Sequence, residues 1–83
     1  MNKADELSAM MGGVDVLAMR MKQKLRRKAR EGRSGGLDTA NRRMVAKLLS
    51  EHVRRFLSGD EQEQAIDVCN LAMMLWVMDG SQE

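Results

Sequence analysis

Apolar residues return at steps of three and four along most of this chain, the spacing that gathers them on one face of an α-helix. Val14, Leu17, Met21, Leu25 and Ala29 form one such line and predict a helix over residues 14–30. Gly12-Gly13 separates it from a short amphipathic start, Leu7 to Met11, so residues 1–12 read as a loose N-terminal segment. Gly32, Gly35 and Gly36 end the helix, because glycine accepts the positive backbone angles at helix ends and disfavours continuing the turn. A second line, Val45, Leu48, Leu49, Val53, Phe56 and Leu57, predicts a helix over 40–57 with Asp38 or Thr39 as its N-cap. Ser58-Gly59-Asp60 breaks it. Asp60 then caps a third helix, 61–78, where Glu63 completes a capping box and Glu61 adds charge at the positive end of the dipole. No strand-period alternation and no repeat occurs, so the expected fold is all-α: one domain, 1–83, a small bundle of three main helices.

The third helix departs from amphipathic patterning. Ile66, Val68, Leu71, Ala72 and every residue from Met73 to Met78 are apolar. A helix apolar on every side must be buried on every side. A chain of 83 residues buries only about 60% of its unfolded surface. The expectation is therefore a bundle completed by homo-oligomerisation through residues 66–78.

Composition narrows the classes. One cysteine, Cys69, excludes an internal disulfide framework and a cysteine-based zinc site, and in this apolar setting it reads as buried and reduced. No apolar run reaches the roughly 18 residues needed to span a bilayer, and the acidic N-terminus lacks the apolar stretch of a signal peptide. Together these predict a cytoplasmic protein with no membrane partner. The net charge of +2 hides an asymmetry. Residues 20–33 carry Arg20, Lys22, Lys24, Arg26, Arg27, Lys28, Arg30 and Arg33 against Glu31 alone, whereas residues 60–83 carry only acids among their charged side chains. Either the two segments face each other or the basic one meets an anionic partner, nucleic acid included. Few aromatics and no recognition-helix motif weaken the nucleic-acid reading.

Candidate chemistry sits in three places. The glycines at 32–36, with Arg33 and Ser34, form either a helix stop or a phosphate-cradling turn. Asp67 and Asn70, three apart on an otherwise apolar helix, form either an internal or subunit-interface hydrogen bond or a ligand-facing pair. His52 and Arg55, three apart on the second helix with Arg54 beside them, form either a solvated flank or a basic cluster facing that pair. Cysteine catalysis finds little support, because an apolar surround raises the Cys69 thiol pKa and suppresses the thiolate.

Three segments in order, Met21-Lys22-Gln23-Lys24-Leu25 running on to Gly35-Gly36-Leu37, Leu49-Ser50-Glu51-His52-Val53-Arg54-Arg55-Phe56, and Asp67-Val68-Cys69-Asn70-Leu71-Ala72-Met73-Met74, carry a resemblance. Over roughly residues 19–78 the chain resembles the MazG-like all-α nucleoside-triphosphate pyrophosphohydrolases, in particular their short phage-type members. The last segment is the most specific. The resemblance implies magnesium held by two glutamates three apart on one helix and a glutamate and an aspartate three apart on the next. Carried over, these positions fall on His52 and Arg55, then on Gln64 and Asp67. Only Asp67 remains a carboxylate. Shifting the frame to Glu51 sets Arg54 at its partner position, and Glu63 recovers a third acid only by a similar slip.

Arginine has no lone pair to give a metal and binds phosphate by charge-assisted hydrogen bonds. Two unit charges about 4 Å apart interact by roughly 4 kcal/mol at an effective dielectric of 20, so a guanidinium beside a divalent ion repels it. The resemblance therefore implies a catalytically degenerate protein without a cofactor, binding and sequestering a nucleotide or nucleotide-derived signal, as a phage counter-defence protein would. His52, Arg54 and Arg55 are expected to meet phosphates, and Gln64, Asp67 and Asn70 to complete the ligand site, the last two meeting a ribose or base. The rival expectations are an active magnesium-dependent pyrophosphohydrolase using Glu51, Glu63 and Asp67, and a nucleic-acid-binding or protein-inhibitor module.

Overall fold

The computed structural model describes residues 1–59 and 62–80. They form three helices packed together, α1 (Lys3–Arg30), α2 (Arg42–Leu57) and α3 (Gln64–Met78), with a single 3₁₀ turn, Thr39–Asn41, leading into α2. No strand occurs among the described residues.

The N-terminal segment is not loose, contrary to expectation. Asn2 caps α1, its side chain accepting from the Asp5 N–H at 2.8 Å, and Asp5 and Glu6 occupy the positive end of the dipole. Gly12 and Gly13 lie inside the helix. Each glycine costs roughly 1 kcal/mol relative to alanine, but removes no backbone hydrogen bond, and the line Leu7–Met10–Met11 runs in phase with Val14 and Leu17. At the other end the glycine reading holds. Gly32 takes φ 86°, its N–H donates to Ala29 O, and the Arg33 N–H donates to Lys28 O at 3.0 Å, the paired bonds of a Schellman stop.

Asp38 caps the 3₁₀ turn, accepting from Ala40 N–H at 3.0 Å, so α2 begins two residues later than the pattern predicts. The third helix begins at Gln64 rather than 61; Glu63 makes no capping bond, while Asp60 and Glu61 lie outside the described residues.

α2 and α3 are an antiparallel pair, and α1 lies across α3 along its C-terminal half. Among the described residues, Val45 and Ile66 are the buried apolar side chains. Leu49 and Val53 are half-buried, but Phe56 and Leu57 are exposed at the end of α2. Cys69 is half-buried rather than enclosed. α3 likewise leaves Ala72 and Trp76 exposed, Trp76 at 51%, so the described residues do not cover this helix on all sides. No helix among the described residues is long and apolar enough to cross a membrane.

The start of α2 is tied to the end of α3 by Arg42, whose Nε and Nη2 donate to the two Asp79 carboxylate oxygens at 2.9 and 3.1 Å. This hydrogen bond holds the Asp79 carboxyl below its ordinary range and raises the guanidinium. A depressed carboxyl contributes stability above the ordinary carboxylate range and loses it as pH falls through the folded value. Asp79→Asn should therefore lower thermal stability at neutral pH, modestly because the pair is solvated. The difference from the parent should shrink on acidification and at high salt, as read by circular-dichroism melts across pH.

Candidate functional site

The antiparallel pairing of α2 and α3 sets the middle of α2 against the first turn of α3, and α1 crosses beside both. Four sequence candidates and one unexpected residue converge there. His52 Nδ1 lies 2.6 Å from Gln64 Oε1. With the amide oxygen as the acceptor, the imidazole donates from Nδ1. The same nitrogen lies 3.8 Å from Asp67 Oδ2. Asp67 Oδ1 is held by Lys24 Nζ at 2.6 Å, and that ammonium is also 3.9 Å from Glu63. The Lys24 and Asp67 side chains are only 12% and 16% exposed. Asn70, at 5% exposure, donates from Nδ2 to Met21 O over a long 3.4 Å, and its Oδ1 is buried without a partner.

Lys24 was not singled out from sequence as part of this cluster. It follows Met21 by three and Leu17 by seven, which sets it beside the apolar line of α1, but Lys28 shares that flank, so spacing alone does not single Lys24 out. A lysine there needs a buried acid opposite it, and Asp67 supplies one.

Beside the cluster runs a groove of about 700 Å³ between the C-terminal half of α1, the glycine turn, α2 and α3. Its walls are mostly apolar, with Leu25, Leu48, Leu71 and Met74 prominent; His52, Asp67 and Asn70 lie along it, and Lys28, Arg33 and Ser34 border it. The turn is shaped by close approach. Gly35 takes φ 83° and its carbonyl accepts from Asn41 Nδ2 at 3.0 Å, and a Cβ on Gly36 would meet the Met74 sulfur at 3.3 Å. Thus Gly32 stops a helix, whereas Gly35 and Gly36 line a cavity.

Arg54 and Arg55 are exposed on α2 and border neither of the two main concavities. The structure brings His52, Gln64, Asp67 and Asn70 together and leaves these two guanidinium groups outside. The second concavity, about 240 Å³, is lined by Arg20, Arg27 and Arg30 on one side and by Glu63 and Ile66 on the other.

The donor set does not fit magnesium. Asp67 Oδ1 is engaged by the Lys24 ammonium and Gln64 Oε1 by the His52 ring, whereas the ion demands near-octahedral hard oxygens. Glu51, Glu63 and Asp67 are not brought together: among the described residues, no group of three or more His, Cys, Asp and Glu side chains is placed to share an ion. No protein-family model, curated protein or solved structure matches this chain.

Proposed function

We propose that the chain binds and holds a nucleotide or nucleotide-derived signalling molecule without a divalent cation, as a catalytically degenerate relative of the MazG-like pyrophosphohydrolases and a sequestering protein of the phage counter-defence kind. The observation that carries this reading is one groove with three kinds of wall: apolar sides, an unpartnered buried acceptor on Asn70, and cations at the border. Its size lies within the roughly 300–1,000 Å³ of small-molecule sites. A base would lie between Leu48 and Met74, presenting an amine or hydroxyl to Asn70 Oδ1. Phosphates would meet Arg33 and Lys28 rather than Arg54 and Arg55. Lys24 supplies internally the positive charge that Asp67 needs, which is why no metal is called for. Homo-oligomerisation through residues 66–78 belongs to the same reading, supported by exposed Trp76 and by the small core of one subunit.

Two results follow. Arg33→Ala should weaken nucleotide binding by about 1.5–3 kcal/mol, the range for a hydrogen bond to a charged group, while Arg55→Ala should change it little. Equal losses in a fluorescence titration of both variants would move the phosphates back to α2. Nucleoside triphosphates should release no pyrophosphate at an enzymatic rate with magnesium or manganese. Metal-dependent release that disappears in Asp67→Ala would establish the hydrolase instead. The arginine-lined cleft favours a second reading, a nucleic-acid backbone along α1, whose mark is affinity falling steeply with salt.

A further inference from the structure

α1 carries one apolar line from end to end, but its subunit covers only half of it. Leu17, Met21 and Leu25 are half-buried where α1 crosses α3, whereas Leu7, Met10, Met11 and Val14, on the same face, are exposed, Val14 at 63%. Residues 3–16 thus extend the helix by about 20 Å beyond the part that is packed. An amphipathic helix isolated in water is marginal even at greater lengths, and this stretch holds two interior glycines as well. It needs a partner to account for its apolar face.

Charge identifies the partner. The N-terminal half of α1 carries Asp5, Glu6 and Asp15 against Lys3, and the C-terminal half carries seven cations from Arg20 to Arg30 without an acid. A second α1 laid parallel would set seven cations beside seven; laid antiparallel, it sets the acidic half of each against the basic half of the other. We propose that residues 3–16 are the docking surface for a second copy of this chain, the two α1 helices running antiparallel about a two-fold axis near Val14. In that register Leu7 lies nearest Met21 of the second copy and Met10 nearest Ala18, so the bare end of each helix packs along the half-exposed flank of Ala18, Met21 and Leu25 that α3 leaves open on the other. This arrangement is isologous, the commonest symmetry of small oligomers, and is independent of any ligand and of the α3 surface.

Cysteine cross-linking tests it. In a Cys69→Ala background, Val14→Cys should be joined into a covalent dimer by a short bis-maleimide. Leu7→Cys should not, because its two copies would lie about 20 Å apart. Leu7→Cys combined with Met21→Cys should cross-link again. Met10→Glu with Met11→Glu should at least halve the mass measured by light scattering. A monomeric mass for the parent at tens of micromolar overturns the proposal. So does efficient cross-linking of Leu7→Cys alone, which marks a parallel pair, or an oligomer in which Val14→Cys stays unlinked, which places the contact elsewhere.

Discussion

Lys24→Met should destabilise the chain by about 3–5 kcal/mol, the cost of leaving one partner of a buried ion pair uncompensated. The ammonium and the Asp67 carboxylate are both largely withdrawn from solvent and 2.6 Å apart. Removing the cation strands the carboxylate beside His52 and Ile66, with Gln64 already engaged. A domain of this size has only about 0.05–0.15 kcal/mol of stability per residue, so a loss of this size is a large fraction of the total. Adding Asp67→Asn should restore most of the loss, because the neutral amide no longer needs the ammonium. Urea unfolding of the two single variants and the double variant gives the coupling directly. If Lys24→Met unfolds at the parent's urea midpoint, the ion pair is not what neutralises Asp67, and the explanation for a metal-free site fails with it.

Asn70→Leu should raise stability by about 1–2 kcal/mol and weaken the proposed ligand binding. Asn70 Oδ1 is buried without a partner, and its amide makes only a 3.4 Å contact to Met21 O. An unsatisfied buried polar group costs about 1–3 kcal/mol, and an apolar side chain of similar shape removes that cost. A residue kept for packing would lose nothing by the exchange; one kept for a ligand would trade stability for binding. The expected pair of results is a higher melting temperature and at least tenfold weaker nucleotide binding, equivalent to about 1.4 kcal/mol. Unchanged binding in a more stable variant would make Asn70 an incidental polar residue.

The helices were legible where periodicity ran long. Val45, Leu49 and Val53 on α2 and Leu17, Met21 and Leu25 on α1 turn inward as their spacing predicts, whereas Leu48 stays exposed. The continuation through Gly12-Gly13 was not, because glycine lowers helix propensity by a small amount that the Asn2 cap and the acids Asp5 and Glu6 of the first turn offset. Within the site, the three-residue step from Asp67 to Asn70 placed both on one face of α3, and His52 facing them was one of two readings of its spacing; Gln64 entered only through the family resemblance. The position of Arg55 was not, since a spacing of three allows either flank of the buried line. Lys24 escaped notice for a different reason: it stands in a run of cations, and only the packing of α1 on α3 separates the one that points inward from those that do not.

The central claim, metal-independent capture of a nucleotide, is tested most directly by calorimetric titration of the purified chain in EDTA with mononucleotides, cyclic nucleotides and ADP-ribose derivatives. The account predicts saturable binding of at least one of them with a Kd well below about 1 mM, unchanged when magnesium replaces the chelator. No binding across the panel, or binding that appears only with magnesium, would contradict it.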